Sequence, residues 1–162
     1  AQSEARPDRF VVQQAASLRW AFDTARRGGM PLYKFYANRV LTAFQNLMMG
    51  TKLSEFHTGY RAFARKVLQT LPLHANSNDF VFDNQILAQA AGFGFSIGEI
   101  SCPTRYFDQA SSIDFRRSVV YGCGVTATSV LYRLWRWRIV KPEIFSDNAE
   151  LRLKGDEGEV KS

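Results

Sequence analysis

Sulfur and imidazole are scarce in this chain: it holds two cysteines, Cys102 and Cys123, and two histidines, His57 and His74. Two thiols supply neither a zinc quartet nor a disulfide framework, so a reducing compartment is the default expectation. The histidines share no H-x-x-x-H or H-E-x-x-H spacing, which argues against a zinc site. No G-x-S-x-G occurs, so serine hydrolase chemistry has no support. A G-x-G-x-x-G and a P-loop are also absent. Gly92-Phe93-Gly94 and Gly122-Cys123-Gly124 are too short to cradle a dinucleotide. No run of about twenty apolar residues exists, so no complete membrane span is predicted. The N-terminus lacks the basic–apolar–small order of a signal peptide.

What is present belongs to the globular class. Hydrophobic residues make up 46% and aromatics 14% of 162 residues, enough for one domain with a core. The net charge of +6 hides an asymmetry: residues 1–141 carry 18 Lys/Arg against 9 Asp/Glu, and residues 142–162 carry 3 against 6. A basic body with an acidic tail suggests an anionic partner, whether phosphate, lipid surface or nucleic acid.

Along the chain, Phe10 to Arg27 reads as an amphipathic helix with Val11, Ala15, Leu18 and Phe22 on one face. Leu32 to Met49 is more strongly helical. Phe35, Tyr36, Val40, Leu41, Phe44, Leu47 and Met48 form its apolar side, Lys34, Asn38, Arg39 and Gln45 the other, and Gly50 its cap. A short strand is expected over 59–64 and a short helix over 65–71, ended by Pro72. A second helix is expected from Asp79 to Ala91, stopped by Gly92. Phe93 to Cys102 alternates as a strand does. Ser111 to Asp114 matches a capping box opening a long helix to about Val140. Lys141 to Ser162 reads as a frayed tail. Two strands make a poor sheet, which suggests that its other strands lie outside this chain.

Polar chemistry concentrates in Glu55-Phe56-His57-Thr58-Gly59-Tyr60-Arg61. A carboxylate before a glycine turn can serve as a general base or orient a hydroxyl, and Arg61 can pair with phosphate or with a carboxylate. A solvated Glu beside a turn, with Arg61 bridging to an acid, explains the same residues without function. Asp79 and Asp83 sit one turn apart at a helix start, where capping accounts for Asp79. Asp83-Asn84-Gln85 interrupts a face that should be buried, leaving an acid–base or metal role open. Arg133-Leu134-Trp135-Arg136-Trp137-Arg138 closes a stretch without charge, Ser118 to Tyr132. Interleaved Trp and Arg fit a membrane interface, an ordinary basic helix end or nucleic-acid contact.

Several segments together resemble family 2 glycosyltransferases, in the branch similar to dolichyl-phosphate mannosyltransferase. They are Gly28-Gly29-Met30-Pro31-Leu32-Tyr33-Lys34, Asn38-Arg39, Leu53 to Phe63, Asn76 to Gln89, Ile100 to Phe107 and Ala110-Ser111-Ser112-Ile113. The likeness covers roughly residues 28–132. It implies an α/β GT-A domain, of which this chain carries the C-terminal, acceptor-side half. The family's Asp-x-Asp, which holds Mg or Mn on the sugar diphosphate in the full-length enzyme, is absent here. The segment before Gly28 also lacks the expected Val-x-Gly-Ser-Arg strand. The implied layout is a divergent segment over 1–27, a partial GT-A domain over 28–110, a long interfacial helix over 111–141 and a charged tail over 142–162.

The resemblance further implies inverting transfer from a nucleotide diphosphosugar to an acceptor such as a polyprenyl phosphate, at the inner membrane face in the cytoplasm. The isolated chain would bind no metal and would be inactive alone. Glu55, His57 and Asp83 become the catalytic candidates. Thr58, Gly59, Arg61, Asp79, Gln85, Arg105 and Tyr106 become substrate-binding ones. Arg133, Trp135, Arg136, Trp137 and Arg138 would meet the membrane. No nucleic acid is expected on this reading. The alternative is a non-catalytic module that binds lipid or nucleic acid through the Trp-rich helix.

Overall fold

A computed structural model of the chain describes residues 10–15, 32–57, 60–101 and 115–153. Its first element corrects the sequence reading. Phe10–Ala15, expected as part of a helix, is strand β1. The helical spacing of Val11 and Ala15 is outweighed by Phe-Val-Val, which favours a pleated backbone, and by partners on both edges. β1 pairs antiparallel with β2 (Arg61–Phe63) and parallel with β3 (Ser96–Ser101), with Val11 opposite Phe63 and Gln13 opposite Glu99. The result is one mixed sheet in the order β2-β1-β3. Three strands stand where two were counted, so the sheet has its central member within this chain.

Four α-helices are described: α1 (Leu32–Met49), α2 (Arg65–Thr70), α3 (Phe82–Gly92) and α4 (Phe115–Arg136). The fold is therefore a helix-rich α/β arrangement. α3 starts three residues later than the sequence suggests because Asp79 folds back on its own turn. Its Oδ1 accepts from the Phe80 N–H at 2.7 Å, and its carbonyl accepts from the Phe82 N–H at 2.9 Å. The helix ends at Gly92, and Gly94 closes it. Gly94 adopts φ +77°, while its N–H reaches the Ala91 carbonyl and the Phe95 N–H the Ala90 carbonyl. This paired closure needs a left-handed residue, which glycine supplies cheaply.

The same closure ends α4 short of Val140. Arg138 takes φ 61°, its N–H bonding the Trp135 carbonyl and that of Ile139 the Leu134 carbonyl. Ser111 to Asp114, the expected opening of this helix, lies outside the described residues.

α1 departs in part from the sequence reading, with Phe35, Leu41, Phe44 and Met48 half-buried as an apolar side should be. Thr42 and Gln45 are buried, whereas Val40 and Leu47 are exposed at 69% and 67%. Its polar side turns inward because it serves the loop described below.

The core gathers Val11, Phe56, Val67, Leu71, Leu87 and Ala90 with Tyr132, Ile144 and Phe145. The last two correct the expectation of a frayed tail. Glu143–Phe145 forms a 3-10 turn, and the Phe145 ring stacks on Trp135 at 4.8 Å. Gln89, fully buried on α3, ties this segment down by donating to the Ile144 carbonyl at 2.8 Å.

Candidate functional site

The loop from Ser54 to His57 lies across the sheet. Its position follows from strand register. Gln13 and Glu99 are opposite partners on β1 and β3, so both can reach the same loop. Gln13 Nε2 donates to the Glu55 carbonyl at 2.7 Å and to Glu99 Oε1 at 3.0 Å. Glu99 in turn accepts from the Ser54 N–H and hydroxyl, each at 3.0 Å.

From that loop the Glu55 side chain enters a buried cage. Its Oε1 accepts from the N–H groups of Phe56 and His57, both at 3.1 Å, and from the Thr42 hydroxyl at 3.4 Å. Its Oε2 stands 3.6 Å from Arg39 Nη2. Burial raises the pKa of this carboxyl, against the N–H bonds and the Arg39 charge that lower it. Arg39 also donates to the Ser54 carbonyl at 2.9 Å.

His57 turns its Nδ1 to the Tyr121 hydroxyl of α4, 2.9 Å away. Burial, with Arg61 and Arg39 behind it, lowers the imidazole to about 4. Burial likewise pushes the phenol up to about 12. The pair is therefore neutral at physiological pH, a hydrogen-bonding unit that carries no charge.

Arg61 bonds main chain on both sides. Nη2 donates to the Phe56 carbonyl at 2.6 Å and Nη1 to the Asp83 carbonyl at 2.7 Å, with the Asp83 carboxylate 3.8 Å away. Its side chain is only 4% exposed. The Asp83 carboxylate, by contrast, is mostly solvated. With Asp79, Phe80 and Phe82 it lines an open depression of about 560 Å³. Gln85 holds the preceding loop, its Oε1 accepting from the Ser77 N–H at 2.7 Å.

Thus Glu55, His57 and Arg61 come together, Asp83 meets them through Arg61, and Asp79 and Gln85 organise the approach to α3. Thr58, Gly59, Arg105 and Tyr106 lie outside the described residues. The Trp–Arg segment divides. Trp135 turns toward the core, between Phe93 and Phe145, while Trp137 is exposed under the Arg133 guanidinium, 5.8 Å from the ring centroid. Arg133 also donates to the Leu47 carbonyl, and Arg136 and Arg138 are exposed.

Sequence reasoning missed Arg39 and Thr42, the side-chain partners of Glu55, and Tyr121, the partner of His57. Arg39 and Thr42 are three residues apart on α1, a spacing that shares one helix face. That signal was legible once Glu55 needed a partner. Tyr121 had none, because its contact crosses 64 residues of sequence. Among the described residues no group of three or more His, Cys, Asp or Glu comes together as a metal site.

No family model, curated protein or solved structure matches this chain. The residues and their geometry carry the functional argument.

Proposed function

We propose that this chain supplies the acceptor wall of a family 2 glycosyltransferase, moving sugar from a nucleotide diphosphosugar to a lipid phosphate or similar acceptor at the cytoplasmic membrane face. The supporting observation is the Glu55 carboxylate, with one oxygen saturated by N–H groups and the other left beside Arg39. A carboxylate held in this way can take up or share an acceptor proton, and burial raises its pKa from the ordinary carboxylate value. Against an anionic acceptor, its protonated form donates a hydrogen bond while Arg39 supplies positive charge. The acceptor oxygen then forms its bond to the anomeric carbon as the bond to the diphosphate breaks, with inversion.

Mg or Mn belongs to the Asp-x-Asp half of such an enzyme. No step above runs through that ion. The test is a polypeptide joining this chain to an Asp-x-Asp half. Glu55→Gln there lowers kcat about a hundredfold or more, while Tm moves by no more than about 3 °C. Matched losses of activity and stability make Glu55 structural and sink the proposal. They favour a non-catalytic lipid-binding module instead.

A further inference from the structure

α1 and α4 pack side by side, and much of what they turn outward is apolar. Tyr36, Val40 and Leu47 are exposed on α1, and Val119, Val120 and Val130 on α4. Steps of four and seven place Tyr36, Val40 and Leu47 along one stripe of α1, and steps of four, four and three place Val119, Cys123, Ala127 and Val130 along one stripe of α4. Along α4 runs a groove of about 660 Å³, lined by Val119, Cys123, Ala127, Val130 and Leu134 among others, with Leu41 of α1 at its side. Exposed apolar stripes on two helices packed side by side mark a contact surface.

The charges around this surface decide what meets it. Neither helix contains an Asp or a Glu. Arg116 and Arg117 are exposed at the start of α4, with Arg136 and Arg138 exposed at its end. Beside them Trp137 and Ile139 are each 64% exposed. An apolar strip with arginines at both ends is complementary to an anionic bilayer. The acyl boundary takes valine and leucine, lipid phosphates take the guanidinium groups, and indole rests at headgroup level. A second copy would set this acid-free, arginine-ended face against itself, with no carboxylate on either helix to offset the charge. No described helix is long and apolar enough to cross a membrane.

We propose that the α1–α4 face lies flat on an anionic lipid surface, with α1 contributing as much of the contact as the Trp–Arg end of α4. This deepens the membrane side of the function proposed above and rests on that location, but on none of its chemistry. Vesicle binding therefore succeeds or fails independently of sugar transfer.

Flotation with vesicles containing phosphatidylglycerol tests it, against vesicles of phosphatidylcholine alone. The chain is expected to float with the anionic vesicles. Arg136→Gln and Arg138→Gln each weaken binding about fivefold. Val40→Asp with Leu47→Asp weakens it about tenfold or more, with circular dichroism confirming that the fold is kept. In a Cys102→Ser background, an environment-sensitive dye on Cys123 shifts to shorter wavelength on vesicle addition, while one on Gln69→Cys of α2, with Cys123→Ser added, does not. Absence of flotation with anionic vesicles overturns the proposal, as does binding indifferent to the α1 pair. Sedimentation showing a dimer that the α1 pair abolishes makes a second copy the occupant and overturns it equally.

Discussion

His57 loses its ordinary basicity because its ring is buried and two arginines stand behind it. The unfolded chain binds a proton there near pH 6.5, the folded chain only near 4. As pH falls through that window the unfolded state gains protons first, so stability drops on acidification. The difference corresponds to about 3 kcal/mol once pH 4 is reached. Glu55 acts with the opposite sign. Its raised pKa lets the folded state take up a proton first, which adds stability as pH falls through that folded value. Urea unfolding at pH 7 and pH 4.5 separates the two. The wild-type chain should lose stability toward pH 4.5, and His57→Gln should lose less or gain. An unchanged loss in the variant would show that another group drives it. These shifts could not be foreseen from the sequence, since they depend on Arg39, Tyr121 and the depth of the cage.

Elements were legible where local pattern and tertiary demand agreed. α1, α2 and α3 lie close to where periodicity, Pro72 and Gly50 put them. β1 did not, because a six-residue strand earns its identity from β2 and β3 on either side, and neither neighbour is adjacent in sequence. The faces of α1 were misjudged for a related reason. The hydrophobic side of a helix is assumed to face the core, yet here Thr42 and Arg39 are drawn inward by Glu55. Ile144 and Phe145 were passed over as an isolated apolar pair in a charged tail. Helix-to-helix approach was equally invisible. A Cβ at Gly124 on α4 would lie 2.5 Å from Val81 Cγ2, just before α3. Valine is stiff about χ1 and cannot swing aside, so Gly124→Ala should cost about 1–3 kcal/mol by overpacking. Val81→Ala in the same chain should recover most of that loss. A double-mutant cycle by chemical denaturation reads the coupling, and strictly additive losses would mean that the helices do not meet there.

Across the whole molecule, α1 joins the two proposed surfaces. Its inward residues Arg39 and Thr42 hold Glu55, and its outward residues Tyr36, Val40 and Leu47 belong to the lipid-facing strip. One helix thickness, about 10 Å, therefore separates the Glu55 carboxylate from an apolar outer face. That arrangement suits an acceptor with a charged head and a hydrocarbon tail. The proposed donor is a different matter, because the metal-holding Asp-x-Asp of the family it resembles does not occur in the sequence. On the proposed function, the two ligands should then behave differently toward this chain. Calorimetric titration with a short-chain prenyl phosphate should show binding without added metal, with Kd on the order of 1 mM for a single charge-assisted contact, and Arg39→Gln should weaken it severalfold. Titration with a nucleotide diphosphosugar should give no metal-dependent heat with either Mg or Mn. Tight, metal-dependent donor binding would mean that these residues build a donor site as well. Glu55 would then have to be read as part of that site and not as the acceptor wall.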